Sequence, residues 1–299
     1  MSLTDKLNQA VDWARDALNR PAFVQLNTTV MPWSATARLV DGPVAYWVKI
    51  AHPANALTEA RILMIGNENG LTALPTLAAF NPGLDALLVE HISGDGHEYS
   101  ATTVLNTLAT VSATLARHAD ELQLNTLTAT SCAEGIASLC TNENGEQSWL
   151  DGSVASQLAA AIGASRSALF ALDHFLGPQK TVLHGDLHLG NVIRGRSGPV
   201  LLDWADAAYG SPLWDESMFG LSVIDSHGGD REPFPCAILA DLKGMLDFLS
   251  TPRCEDELAL PLPLYRVHEW MTARARSLML SLHYLRNHVG SKTWQAMTR

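Results

Sequence analysis

Long hydrophobic runs are missing from this 299-residue chain: no apolar stretch reaches the roughly 18 residues that cross a bilayer. A function built on membrane-spanning helices is thereby excluded. Basic residues are also short, with 20 Lys and Arg against 31 Asp and Glu and a formal net charge of −11. That balance argues against a nucleic-acid partner, which needs a basic face, and mildly favours a cationic one. Cysteine is scarce: Cys132, Cys140, Cys236 and Cys254 include no CxxC pair. Neither a disulfide framework nor a zinc knuckle fits such spacing. The opening segment, MSLTDKLNQAVDWARDALNR, carries acids and lacks the pattern of a secretory signal, so we expect a cytoplasmic protein without a membrane partner. There is no internal repeat and no low-complexity tract.

What is present belongs to a folded protein. Hydrophobic residues make up 47% and charged residues 17%, enough apolar side chain for one large domain or two lobes. After an amphipathic N-terminal helix, three β-branched and aromatic runs read as strands over 23–29, 35–40 and 44–50. The last two are joined by Asp41-Gly42-Pro43, a hairpin signal. A helix follows over 56–70, then two strands around Asn81-Pro82-Gly83. At Ser93-Gly94-Asp95-Gly96 the pattern changes, and the remainder reads as helices over 100–119, 153–176, 213–225, 235–250 and 263–288. Residues 120–152 have weak periodicity and read as connecting structure or a lid. The resulting expectation is α+β, with a β-rich small lobe over 1–92, a glycine-flanked hinge, and a mainly helical large lobe over 93–299.

The strands of the second half surround TVLHGDLHLGNVIRGRSGPVLLDW, residues 181–204. Two apolar runs deliver Asp186, Asn191 and Asp203 from adjacent loop positions, and loops on a rigid scaffold are where chemistry concentrates. Asp186 and Asn191 stand five residues apart, and Asp203 follows Asn191 by 12. Metal-dependent phosphoryl transfer needs a base and oxygen ligands at such spacing, because magnesium takes one or two carboxylates and fills its other positions with phosphate and water. The H-x-D-x4-N form matches the catalytic loop of protein kinases.

HGDLHLGN followed by LLDWADAAYGSPLWD resembles the aminoglycoside phosphotransferase and choline kinase-like family, and the resemblance runs from about residue 23 to about 225. It implies a bilobal, protein-kinase-like fold with ATP in the interlobe cleft. On these positions it makes Asp186 the catalytic base, Asn191 and Asp203 the magnesium ligands, His184 a structural member of the loop and Asp215 a scaffold acid. Such a fold also needs a strand lysine paired with a helix glutamate. Lys49 in WVKIA and Glu59 in LTEARIL meet that need. In the LLVEHISG segment Glu90 and Ile92 would contact adenine through their backbone. The acceptor-binding helices would then lie in the large lobe.

One departure stands out: the loop between the first two strands, Asn27 to Ala35, contains no glycine, and Pro32 brings no N–H donor. Either the hydroxyls of Ser34, Thr28 or Thr29 substitute for backbone donors, or phosphate binding rests on Lys49 and magnesium. Other residues admit two readings. His188 either polarises a phosphate or substrate, or bonds backbone. Asp206 assists the metal site or caps a turn. Trp204 and Trp214 read as core aromatics. His268 and Glu269 pack in the last helix or face the substrate, and the acidic 225–232 loop lines an amine pocket or is merely solvated. The function expected is an ATP- and Mg²⁺-dependent kinase acting on a hydroxyl of a small acceptor such as an aminoglycoside, amino sugar or amino alcohol. The alternative is a catalytically impaired pseudokinase; a protein kinase is disfavoured by the lack of D-F-G and A-P-E segments. The oligomeric state is left open.

Overall fold

The computed structural model describes residues 2–31, 34–94, 99–141, 150–177, 181–226, 235–250 and 264–288. The chain forms two compact units, one of Met1–Asn125 with Thr181–Ala208, the other of Thr126–Lys180 with Tyr209–Arg299.

The first unit is organised by alternation along its strands. β1 (Val24–Val30), β2 (Ser34–Asp41), β3 (Val44–Ala51), β4 (Leu77–Asn81) and β5 (Ala86–Glu90) make an antiparallel sheet in the order β1-β2-β3-β5-β4. Because successive side chains face opposite sides, Val48 and Ile50 share one face while Lys49 points to the other. On the first face α1 (Leu3–Ala17), capped by Ser2, buries Leu7, Ala10, Val11 and Ala14 against Ala35, Ala37, Leu39, Val48 and Ile50. On the second lies α2 (Pro53–Glu68), which carries Glu59 inward among Ala56, Ala60, Ile62 and Leu63. Proline at the first helical position suits the start of α2, where its missing N–H is no loss.

The same unit takes in α3 (Ala101–Leu115), the short α4 (Ala119–Leu122) and the motif strands. α3 packs against β6 (Thr181–Leu183) and β8 (Pro199–Leu201), and β8 pairs with β7 (Val192–Arg194) as the expected hairpin. Gly94 is required where it stands, since a Cβ there would come 1.9 Å from the Arg194 carbonyl oxygen.

The second unit is helical. α5 (Ala129–Thr141) packs on α6 (Gly152–Ala164), α7 (Arg166–Leu176) and α9 (Pro235–Ser250), while α8 (Leu213–Ser226) and α10 (Leu264–His288) also meet α9. Two expectations are corrected here. Residues 129–141, taken as connection or lid, are a helix, because Asp173 of α7 accepts hydrogen bonds from the Ala129 and Thr130 amides at 2.6 and 3.0 Å. A local box adds to this, with Thr128 Oγ1 accepting the Ser131 amide at 2.9 Å and Ser131 Oγ accepting the Thr128 amide at 3.0 Å, while the Asp173 contacts lie 43 and 44 positions away, beyond what local periodicity registers. The single helix expected over 153–176 is two, divided at Ser165, whose hydroxyl bonds back to the Ala161 carbonyl. Asp241 on α9 accepts from Arg274, Ser277 and Ser281 of α10, tying the two helices through a buried carboxylate. Among the described residues no helix is long and apolar enough to cross a membrane.

Candidate active site

Lys49 sits at the centre of an ion cluster within the first unit. Its Nζ lies 2.6 Å from Glu59 Oε2 and 2.6 Å from Asp203 Oδ1. Strand alternation aims Lys49 at α2, and β3 buries its stem, leaving 13% of the side chain exposed. Glu59 is 6% exposed, whereas Asp203 keeps 45% of its side chain open to solvent. Burial pulls the Lys49 pKa down, but the two carboxylates outweigh it and the net shift is upward. Glu59 is shifted upward by burial despite Lys49, and Asp203 downward because Lys49 overcomes its partial burial. Trp204 and Ala205 add backbone hydrogen bonds to Glu59 and Asp203 respectively.

Asp203, two residues beyond β8, adopts a left-handed conformation, φ 60°. Asp tolerates that region better than most residues, and the turn carries the chain from the hairpin towards α2. There Asn55 on the first turn of α2 donates to the Ala205 carbonyl at 3.2 Å and to Asp206 Oδ1 at 3.1 Å. Asp206 therefore joins the helix and the Asp203 turn. Asn55 escaped the sequence reading because a single helix asparagine carries no local signal. Gly185, at φ 84°, admits the same turn: a Cβ there would come 2.0 Å from the Asp206 carbonyl oxygen.

The catalytic-loop motif closes on itself. His184, fully buried, donates from Nε2 to the Leu202 carbonyl at 2.7 Å and accepts the Asp186 amide at Nδ1, 3.3 Å away. Those two bonds require a neutral ring, and burial depresses its pKa to about 4. The ring also packs on buried Trp204, with centroids 4.6 Å apart. Asn191 donates from Nδ2 to the Asp186 carbonyl at 2.9 Å and to Asp186 Oδ2 at 3.4 Å. Two acceptors at that nitrogen leave the carboxamide oxygen as its ligand atom. The Leu202 amide in turn donates to the Asn191 carbonyl at 2.8 Å, linking the segments that carry Asn191 and Asp203. His188 accepts the Gly190 amide at Nδ1, the backbone-bonding alternative of its two readings.

Asn191 and Asp203 thus present a carboxamide oxygen and a half-open carboxylate. The pair fits magnesium, a hard cation that seeks one or two protein oxygens and completes its shell from phosphate and water. Among the described residues no group of three His, Cys, Asp or Glu could hold a metal unaided.

Ser34 begins β2, and its carbonyl accepts the Met31 amide at 2.8 Å, so that donor of the glycine-free turn is already used. Glu90 is exposed at the end of β5. Its amide donates to the Thr76 carbonyl and that of His91 to the Ala45 carbonyl, which removes the Glu90 N–H from the expected adenine contacts and leaves its carbonyl. Ile92, half-buried, follows β5 directly. Trp204 and Trp214 are both core aromatics, each no more than 1% exposed. Asp215 is buried in the first turn of α8, and Glu269 is exposed on α10. Pro32, most of the 225–232 loop and the His268 side chain lie outside the described residues.

Comparison with known proteins adds to this geometry. The profile of the phosphotransferase enzyme family matches residues 32–232. No curated protein sequence is significantly similar to the chain. Among solved structures, the aminoglycoside phosphotransferase APH(4)-Ia superposes with a TM-score of 0.57 at 14% identity, covering 92% of this chain and 99% of the other. A thermostable mutant of that enzyme, in a ternary complex with ADP and hygromycin B, gives 0.55 at 14% identity over 90% and 97%. A choline/ethanolamine kinase family protein from Mesorhizobium loti gives 0.51 at 17% identity over 93% and 99%. These likenesses are of fold, protein-kinase-like and α+β.

Proposed function

The chain belongs to the phosphotransferase enzyme family and is a phosphotransferase with a hydroxyl acceptor; from that premise we propose that it moves the γ-phosphoryl group of ATP to a hydroxyl of a small acceptor, with a cationic amino sugar, aminoglycoside or amino alcohol the favoured class. The observation that carries the reading is Lys49, held at 2.6 Å by both Glu59 and Asp203 in the same unit as the joined Asp186 and Asn191. The nucleotide complex of the structural neighbour, solved with ADP, supports the choice of nucleotide. The net charge of −11 supports a cationic acceptor.

In this reading Asp186 orients the acceptor hydroxyl and takes its proton as the oxygen attacks the γ-phosphorus. The bond to the β,γ-bridging oxygen breaks, and ADP leaves. Lys49, steadied by Glu59, turns from Asp203 to the α- and β-phosphates. Asn191 through its carboxamide oxygen and Asp203 through its carboxylate would hold magnesium, which when bound neutralises charge on the phosphate oxygens. Glu90 through its carbonyl and Ile92 through its backbone would meet adenine. Ser34 is the hydroxyl placed at the start of β2 beside the glycine-free turn, with Lys49 and the metal carrying most of the phosphate binding.

ADP release from Mg·ATP, measured across aminoglycosides, amino sugars, amino alcohols and small sugars, tests this. One acceptor class should support turnover, and Asp186→Asn should lower kcat about a hundredfold or more. No ADP release with any acceptor, together with no binding of Mg·ATP by titration, would sink the proposal.

A further inference from the structure

His188 lies inside the motif, yet neither the base nor the ligand roles use it. It caps the 3₁₀ turn Leu189–Asn191, with Nδ1 accepting the Gly190 amide at 3.0 Å. A ring whose Nδ1 accepts carries its proton on Nε2 when neutral. That Nε2 stands 3.6 Å from Asp186 Oδ2, the same oxygen that Asn191 Nδ2 approaches at 3.4 Å. The distance exceeds a formed hydrogen bond by a few tenths of an ångström. Catalytic hydrogen bonds of ligand-free sites commonly tighten when substrate binds. Gly190 leaves the ring its place: a Cβ on residue 190 would come 2.8 Å from His188 Cε1 and 3.0 Å from its Nδ1, so a larger residue there would displace the ring.

We infer that His188 is a positioning residue for Asp186: the Gly190 amide locks its tautomer, and its Nε2–H steers Oδ2, with Asn191, to hold the carboxylate in one orientation toward the acceptor. The catalytic consequence rests on the phosphotransfer reading above, whereas the contact itself does not. Burial lowers the His188 pKa, which favours the neutral ring that this arrangement uses. The loop thereby achieves with a local turn what a hydrogen-bonding partner behind the reacting group usually supplies from elsewhere in a fold. A backbone amide sets one ring nitrogen, and the other reaches the reacting group.

Histidine-selective ¹⁵N spectra of the full chain decide the contact without requiring turnover. The His188 signals, assigned by their loss in His188→Asn, should show the Nε2–H tautomer, and Asp186→Asn should move the Nε2 resonance of His188. An Nδ1–H tautomer, or a His188 resonance indifferent to Asp186→Asn, would overturn the inference. Kinetics then separate positioning from capping. His188→Asn keeps an acceptor for the Gly190 amide, because asparagine is a good N-cap, but cannot reach Asp186. It should leave the melting temperature and the KM for Mg·ATP near wild type while lowering kcat about tenfold or more. His188→Gln, longer and still a donor, should recover part of that loss. A His188→Asn enzyme with wild-type kcat would reduce His188 to a cap, and a rise in KM alone would assign the ring to the phosphates. A wild-type protein that turns over nothing counts against the phosphotransfer reading, and the spectra still decide the contact.

Discussion

The two halves of the candidate site are built on opposite principles. Around Lys49 the charges are withdrawn from water: Lys49 and Glu59 are almost fully buried, and each depends on the other to stay ionised. Around Asp186 the charge is left half in solvent, with 37% of its side chain exposed and its neighbours held by short local hydrogen bonds. A buried ion pair is stable only while complete, whereas an open carboxylate is cheap to neutralise. The lysine side therefore couples function to folding, and the aspartate side does not.

Lys49→Met should break this contrast most severely. It strands Glu59 in a buried position and should cost about 3–5 kcal/mol of stability, read by chemical denaturation, in addition to abolishing turnover. The double variant Lys49→Met/Glu59→Gln should regain much of that stability and none of the activity. Asp186→Asn should show the reverse, an inactive enzyme that unfolds at the wild-type denaturant concentration. Equal stability losses at Lys49 and Asp186 would erase the distinction.

His184 sharpens the comparison from the acid side. Its folded pKa of about 4 lies below the ordinary 6.5, so between those values the unfolded chain binds the extra proton and folding stability falls. The stability is complete above about pH 6.5 and lost progressively down to about pH 4, on the order of 3 kcal/mol in all. Melting temperatures from pH 7.5 to 4 should show this decline, and His184→Gln, which retains a donor and an acceptor, should flatten it. The smallest effect is expected at the β1–β2 turn. Ser34→Ala should change the KM for Mg·ATP by less than about fivefold, the scale of one neutral hydrogen bond. A much larger change would transfer phosphate binding from Lys49 to that turn.

Some of this molecule could be read residue by residue. The small sheet was visible because alternation and the Asp41-Gly42-Pro43 turn are local signals, and all five of its strands form. The HGDLHLGN loop was visible because its hydrogen bonds span two to five residues, from His184 to Asp186 and from Asp186 to Asn191. Where a partner lay far along the chain, the reading failed. Helix α5 has a weak pattern because ATSCAEGIASLCT is rich in small and polar residues, and part of its first-turn capping comes from Asp173 on α7. The break at Ser165 is a different case: it is local, two residues after Gly163 and with the Ser165 hydroxyl on the Ala161 carbonyl, but a single glycine inside a helical pattern is tolerated and does not announce an end. Asn55 gives no local signal because its partners, Ala205 and Asp206, are 150 and 151 positions away.

By itself, then, the sequence determined the chemistry on offer: an aspartate, an asparagine and a second aspartate at kinase-like spacing, a strand lysine, a helix glutamate, and a small antiparallel sheet. Only the tertiary structure decided that Lys49 meets Asp203 across 154 positions and that α2 is latched to the Asp203 turn. The reason is physical. Backbone pattern and short-range hydrogen bonds are written locally, but the pairing of buried charges depends on which elements the core brings together.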